Sequence, residues 1–165
     1  MRRRGWVVAA GLAVALSGCD ESPDAPTGTH IVREALTGTV SLAASPACSN
    51  AFRASVDPSY YLGGTQRCAE FRRRSATPGI ITARLIWQDP RVDLDLVLND
   101  GAGTNYRQSI AANRCCETIE FFVNGGTDYV LVVYLRGVDA QFIANGGTFS
   151  GEVATPFTLD VERPE

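Results

Sequence analysis

Five oxygen-bearing side chains lie within twelve residues near the middle of the chain: Asp89, Asp93, Asp95, Asn99 and Asp100. A hard cation such as Ca²⁺ takes roughly six to eight oxygen ligands, some of them from backbone carbonyls in turns. The spacing matches no defined calcium-binding loop. These residues are therefore candidate calcium ligands contributed by strands and turns, and calcium is the one cofactor that the sequence suggests.

The same carboxylates have two other interpretations. They are solvated, or they pair with Arg84, Arg91 or Arg107 across neighbouring strands. Glycosidases also use paired carboxylates, which makes a small hydrolase using Asp93 and Asp95 an alternative. Two residues at i and i+2 on one strand face, however, have no differentiated acid and base environments, so this alternative is not favoured.

Other catalytic motifs are absent from the sequence. It contains no HExxH, no CxxC and no glycine-rich phosphate loop before a helix. The only histidine, His30, lies beside the N-terminal segment, where it is poorly placed for a nucleophile–histidine pair. We therefore predict that the protein is not an enzyme.

The N-terminus has the pattern of an export signal. Three arginines precede an apolar run over residues 6–16. The last residue of this run, Leu16, is followed by Ser17, Gly18 and Cys19. This resembles a bacterial lipoprotein signal, which implies that residues 1–18 are removed and that Cys19 is lipidated. An ordinary secretory signal is the alternative. Residues 19–29 are polar and contain prolines, which predicts a flexible tether.

Four cysteines remain in the exported chain: Cys48, Cys68, Cys115 and Cys116. An even number in an oxidising compartment predicts two disulfide bonds. A bond between the adjacent cysteines would need a strained ring. We therefore expect these two to point to opposite faces of a strand, one bonding Cys48 and the other Cys68. A four-cysteine metal site is the alternative, but it lacks a CxxC pair.

Aromatic and basic residues suggest two further surfaces. Tyr60, Tyr61 and Tyr106 are candidates for a surface that contacts a glycan or peptide; alternatively, their rings pack at a sheet edge with the hydroxyls in water. The arginine run 72–74 is a candidate patch for an anionic ligand, or a solvated strand end.

Gly79 to Asp100 is the stretch around which the chain is organised. Two β-type runs there predict adjacent strands with a shared apolar face and a carboxylate rim, with Trp87 in the core. The run from Tyr129 to Leu135 is the most β-prone and is predicted to be buried on both sides. No segment has helical periodicity. The sequence predicts an all-β, jelly-roll-like antiparallel β-sandwich of about seven to nine strands, forming a single domain over residues 30–165.

The order of motifs adds a family resemblance. The motifs are Gly79 to Trp87, DLDLVL from Asp93, ETI from Glu117, GTDYVLVV from Gly126 and FTLDV from Phe157. Over residues 79–161 this order resembles the bacterial pre-peptidase C-terminal domain family, and in outline the collagen-binding domains of clostridial collagenases. The resemblance implies a jelly-roll-like sandwich that accompanies exported enzymes and, in the collagen-binding relatives, is associated with calcium.

Charge excludes one class of partner. The chain has fifteen arginines, no lysine and eighteen acidic residues; without the signal peptide its net charge is about −6. A net acidic domain is a poor general binder of nucleic acid. We therefore predict a non-enzymatic binding or accessory module, lipid-anchored to a bacterial membrane at its periplasmic face or at the cell surface. Its loops would contact a peptide, a matrix polymer or a glycan. The alternative is a structural envelope lipoprotein that docks another envelope protein by a strand edge.

Overall fold

The structure is a computed structural model that describes residues 30–48, 67–110, 115–138, 146 and 153–165. These residues form eight β-strands and no helix. The strands are β1 (Ile31–Ser41), β2 (Arg67–Ser75), β3 (Gly79–Trp87), β4 (Val92–Asp100), β5 (Asn105–Ser109), β6 (Glu117–Val123), β7 (Thr127–Val138) and β8 (Ala154–Pro164). The predicted signal peptide and tether, including Cys19, lie outside the described residues. Within the described ranges no helix is long and apolar enough to cross a membrane.

The strands form two four-stranded antiparallel sheets. Sheet I has the order β1-β8-β3-β6, and sheet II has the order β2-β7-β4-β5. Their inner faces enclose one hydrophobic core. The predicted all-β, jelly-roll-like sandwich is confirmed, and its strand number falls within the expected range.

The organising stretch supplies both halves of that core. In β3, Ile81, Leu85 and Trp87 point inward, because side chains alternate along a strand. Leu94 and Leu96 of β4 face them from the other sheet. The two strands are thus not neighbours in one sheet, as the sequence suggested, but lie opposite each other across the core. The Trp87 indole Nε1 donates a 2.7 Å hydrogen bond to the carbonyl of Val92, which fixes the turn between the strands.

The two central strands of sheet II, β4 and β7, are buried on both faces. All seven side chains from Tyr129 to Leu135 are at most 1% exposed, as the unbroken apolar run predicted. Asp93 and Asp95 are only 4% and 1% exposed, so the interpretation that they are solvated is wrong. A second, smaller apolar cluster lies on this outer face: Cys48, Cys68, Val97, Val130, Val132 and Tyr134.

Close contact across the core also shapes sheet I. Gly38 of β1 lies opposite Phe157 of β8. A Cβ atom at Gly38 would be 2.7 Å from the Phe157 ring, so only glycine fits here. Phe157 also packs edge-on against Phe71 of sheet II, with ring centroids 6.0 Å apart. The missing side chain at Gly38 thus lets one aromatic ring join the two sheets.

Candidate functional site

The two central carboxylates lie on the outer face of sheet II beside Arg136 of β7. Arg136 Nε is 3.7 Å from Asp93 Oδ2, and Arg136 Nη1 is 3.7 Å from Asp95 Oδ1. Nη1 also donates a 2.7 Å hydrogen bond to the carbonyl of Ile110. Because this carbonyl follows β5, the guanidinium reaches across β4 and over both carboxylates. Arg136 is therefore a positive group beside both Asp93 and Asp95, and it is not among the arginines that the sequence suggested for this role.

The other candidate calcium ligands have different roles. Asp89 accepts hydrogen bonds from Arg91 Nε and Nη2 at 2.8 and 2.7 Å, and this pairing holds the pKa of Asp89 below its usual range. Asp100 accepts bonds from the backbone amides of Thr104 and Ala102 at 2.7 and 2.8 Å, and these bonds lower its pKa. Asn99 is buried beside Tyr134. Each of these side chains supports local structure.

The five oxygen donors are thus spread over a buried sheet face and two turns. Among the described residues, no group of three or more His, Cys, Asp or Glu side chains is arranged to hold a metal ion. Calcium binding stays a prediction from the sequence, without a ligand cluster in this part of the chain to support it.

The hydrolase alternative also has no site at these carboxylates. An acid–base pair must reach the bond that it cleaves. Asp93 and Asp95 are buried, and the side chain of Arg136, itself 18% exposed, lies across them. A substrate could approach them only if the guanidinium moved away, which would leave two buried carboxylates without that cation. The arrangement is that of a buried ion cluster.

The cysteines pair differently from the prediction. Cys48 bonds to Cys68, and Cys115 bonds to Cys116. Cys68 is the second residue of β2 and lies on the outer face of sheet II, and a bridge between Ala47 and Arg67 brings Cys48 alongside it. Cys115 and Cys116 instead precede β6, a strand of sheet I. Two disulfides are therefore present as expected, but the predicted cross-pairing is wrong, because Cys48 and Cys68 lie on the face of sheet II that points away from sheet I.

Of the three candidate tyrosines, Tyr106 lies among the described residues. Tyr106 stacks on Phe121, with ring centroids 5.2 Å apart and an interplanar angle of 9°. It therefore packs at the edge where β5 and β6 approach each other. Tyr60 and Tyr61 lie outside the described residues, so their part of the predicted ligand surface stays a prediction.

The arginine run at the end of β2 divides between the two faces of its sheet. Arg73 points inward and donates from Nε and Nη2 to the two carboxylate oxygens of Glu34 in β1, at 2.7 and 2.9 Å. Arg163 of β8 lies 3.4 Å from the same carboxylate. The buried Tyr129 ring lies close by, and its burial raises the pKa of the hydroxyl to about 12. These residues form an ion cluster that joins the two sheets. Arg74 points outward and pairs with Asp128 at 3.0 Å.

The ion cluster predicts a pH-dependent contribution to stability. Hydrogen bonds from Arg73 hold the pKa of Glu34 below its usual range. Such a carboxylate stabilises the fold above its unfolded-state pKa of about 4.3, and this contribution is lost as pH falls through the folded-state pKa. We expect Glu34→Gln to lower the free energy of unfolding by about 1–2 kcal/mol at pH 7. The difference from wild type should shrink below about pH 4.

Urea unfolding at several pH values measures this difference. Glu162→Gln is the matched control, because Glu162 pairs with Arg33 at the surface, where both side chains are more than half exposed. Exposed pairs contribute about 0–1 kcal/mol. A Glu34→Gln deficit of equal size at pH 7 and pH 3 would contradict the assignment.

The outer face of sheet I is open to solvent, in contrast to that of sheet II. Near the end of β3 it contains a shallow depression of about 520 Å³. None of the described residues that line it is charged. Gly38, Trp87 and Phe157 line it together with the outward-facing residues Thr37, Thr39, Ile86, Gln88, Pro156 and Thr158. This surface could not be recognised from the sequence, because three threonines on neighbouring strands are an ordinary feature of exposed sheets.

No family model and no curated protein matches the chain. Among solved structures, it is similar to the pre-peptidase C-terminal domain of a collagenase from Bacillus anthracis. The identity is 14% and the TM-score 0.42, over 79% of this chain and 89% of that one. The family that the sequence resembles is thus represented among structures of similar fold.

Two other similar structures are proteins of different kinds. One is PliG from Aeromonas hydrophila, a periplasmic inhibitor of g-type lysozyme, with 10% identity and a TM-score of 0.43 over 81% of this chain and 86% of that one. Another is a family 35 carbohydrate-binding module from Cellvibrio japonicus, with 11% identity and a TM-score of 0.35 over 78% of this chain and 97% of that one.

Proposed function

We propose that the protein is an exported, lipid-anchored and non-enzymatic binding module of the bacterial envelope that holds a neutral glycan on the outer face of sheet I. The observation that carries this proposal is the uncharged depression formed by β1, β8 and β3. The central carboxylates are buried beneath Arg136. The open face of sheet I is therefore the better candidate for ligand contact.

The chemistry of the depression suits a neutral polyhydroxylated ligand. Threonine hydroxyls both donate and accept hydrogen bonds, and the Gln88 amide does the same with separate atoms. Ile86 and Pro156 add apolar surface between these polar groups. Small-molecule sites commonly combine apolar lining with a few polar groups that fix orientation. An anionic polymer would find no cation in the lining to pair with.

The anchor and the export route come from the N-terminal pattern. The basic residues, the apolar run and the cysteine are in the order that a lipoprotein signal requires. Two disulfide bonds fit an oxidising compartment. In the proposed mechanism, lipid at Cys19 holds the protein at the membrane. Residues 20–29 determine how far the sandwich can extend from the membrane, and the sandwich exposes the depression to the ligand.

A second candidate function is docking of another envelope protein along β1. This strand pairs only with β8 among the described strands, so one edge of it is unpaired. Residues 35–41 on that edge carry no charged side chain. Uncharged edges are the ones that accept an added strand. A bound peptide that is insensitive to changes in the depression would favour this candidate.

Binding measurements on the chain lacking residues 1–18 test the proposed glycan site. We expect at least one neutral polysaccharide to bind in a calorimetric or array screen, and Ile86→Asp to weaken it by about tenfold or more, because an unpaired charge is costly to bury under a ligand. Thr118→Asp, on the same face of sheet I but outside the depression, is the matched control. Unchanged glycan binding by Ile86→Asp, or binding of peptides alone, would contradict the proposal.

A further inference from the structure

One end of the sandwich lies next to the predicted tether, and we call it the tether end. It is the end at which β1 begins, at Ile31, and β8 finishes, at Pro164. The backbone amide of Glu165 donates a 2.9 Å hydrogen bond to the carbonyl of His30, which holds the chain entry beside the chain exit. The hydroxyl of Ser75 in sheet II bonds the Pro164 carbonyl at 3.1 Å, so both sheets reach this end.

An apolar row crosses the outer face of sheet I at the tether end. Ile31, Ile80 and Phe122 are the large hydrophobic residues exposed among the described residues, at 44%, 59% and 59%. Ile80 lies directly opposite Phe122, and Ile31 lies opposite Pro164. Three of the four strands of sheet I thus have an exposed apolar side chain at this end, and the fourth, β8, has the buried Pro164. Single exposed apolar residues are common, but three at one end of one sheet face indicate an interaction surface.

The loops around this row are also free of charge. Residues 76–78, 101–104 and 124–126 connect strands at the tether end, and none of them is charged. Behind the loops, Arg72 and Arg74 point outward from sheet II with exposed side chains. Long basic side chains can keep their charged ends among lipid headgroups while their stems lie against apolar surface. Uncharged loops, an apolar row and flanking arginines together fit a lipid interface.

The position of the predicted anchor selects the partner. Cys19 is twelve residues before Ile31. Even a fully extended segment of that length spans only about 40 Å. A lipid on Cys19 would therefore keep the apolar row close to the membrane, at an effective concentration of about a millimolar or more. Under that condition even a weakly lipid-binding surface is engaged, whereas a soluble protein partner would have to bind it from dilute solution.

We propose that the tether end rests on the membrane that holds Cys19, with Ile31, Ile80 and Phe122 in contact with the lipid surface. This inference rests on the proposed lipid anchor. The contact fixes the orientation of the module relative to the membrane. The depression lies near the end of β3, whereas the apolar row lies at its start on the same face, so the depression lies at the end of the sandwich that is farther from the membrane.

Tryptophan fluorescence on the lipidated protein tests this contact. The full chain is expressed in a bacterium, purified with its N-terminus processed, and reconstituted into vesicles of phosphatidylethanolamine and phosphatidylglycerol with brominated acyl chains. The variants are Phe122→Trp, at the row, and Gln88→Trp, an exposed position at the far end of the same face. The buried Trp87 contributes the same background fluorescence in both variants. We expect brominated lipid to quench the added emission of Phe122→Trp at least about twofold more than that of Gln88→Trp.

The possible outcomes distinguish a failure of the proposed membrane contact from a failure of the proposed lipid anchor. Mass spectrometry of the same preparation shows whether Cys19 carries lipid. Equal quenching of the two variants on a lipidated chain overturns the membrane contact but leaves the anchor standing. A blue-shifted Phe122→Trp emission without quenching also overturns it, because the row would then be covered by a second copy or another protein. A chain without lipid on Cys19 overturns both the contact and the anchor.

Discussion

Replacing Arg136 with methionine is expected to lower the free energy of unfolding by about 3–5 kcal/mol, the usual cost of removing one partner from a buried ion cluster. The side chain lies within 3.7 Å of both Asp93 and Asp95, and these carboxylates are at most 5% exposed. Methionine keeps most of the volume but supplies neither the charge nor the hydrogen bond to Ile110. Chemical unfolding followed by circular dichroism measures the loss.

A double-mutant cycle separates charge from packing. Asp95→Asn alone removes one carboxylate charge, and we expect Arg136→Met to cost less in that background, because the two residues act on each other. Arg33→Met is the matched surface control: its side chain is 73% exposed and pairs with Glu162 at 2.7 Å. Its expected effect is about 0–1 kcal/mol. Equal losses for Arg136→Met and Arg33→Met would contradict the assigned role of Arg136.

The strands could be predicted from the sequence because their signal is local. A side-chain period of two needs only neighbouring residues, and it correctly separates Leu94 and Leu96 from Asp93 and Asp95. Whether the second face is solvated depends on what packs against it, and alternation contains no information about that. The sequence therefore left open whether Asp93 and Asp95 are solvated or paired with an arginine, and the structure buries them beside Arg136.

The partner of those carboxylates illustrates the same limit. Arg136 lies forty-one residues after Asp95 in the sequence. Only the pairing of β4 with β7, in which Asp95 lies opposite Tyr134, brings the guanidinium across β4. A usable signal existed nonetheless: an arginine that directly follows the most apolar run of a chain, within the same strand, is poorly placed unless a carboxylate lies beside it.

The predicted cysteine pairing is wrong for a related reason. The strained ring between Cys115 and Cys116 made their bond the least favoured of the pairings, and each cysteine was therefore expected to bond a distant partner. The deciding fact is topological. The bridge from Ala47 to Arg67 brings Cys48 alongside Cys68 at sheet II, whereas the adjacent cysteines precede a strand of sheet I. Sheet membership cannot be read from spacing, so the correct pairing could not be reached from the sequence.

The observed pairing makes a strong prediction about stability. Cys48 and Cys68 are separated by twenty positions, and closing a loop of that size stabilises a fold by about 3 kcal/mol in the chain-entropy model. Cys115 and Cys116 are neighbours, so their bond closes no comparable loop in the unfolded chain. We expect the double variant Cys48→Ala/Cys68→Ala to lose about 3 kcal/mol of unfolding free energy. The buried positions of both cysteines add a packing loss in the same direction.

The adjacent pair provides the matched control, because Cys115→Ala/Cys116→Ala removes the same number of sulfur atoms. We expect this variant to lose less than about 1 kcal/mol, since it changes the entropy of the unfolded chain very little. Denaturant unfolding of both variants and wild type, without reductant, measures the comparison. If the two double variants lose equal stability, loop closure is not what Cys48 and Cys68 contribute. If only the variant of the adjacent pair loses stability, the disulfide bond between Cys48 and Cys68 does not stabilise the fold.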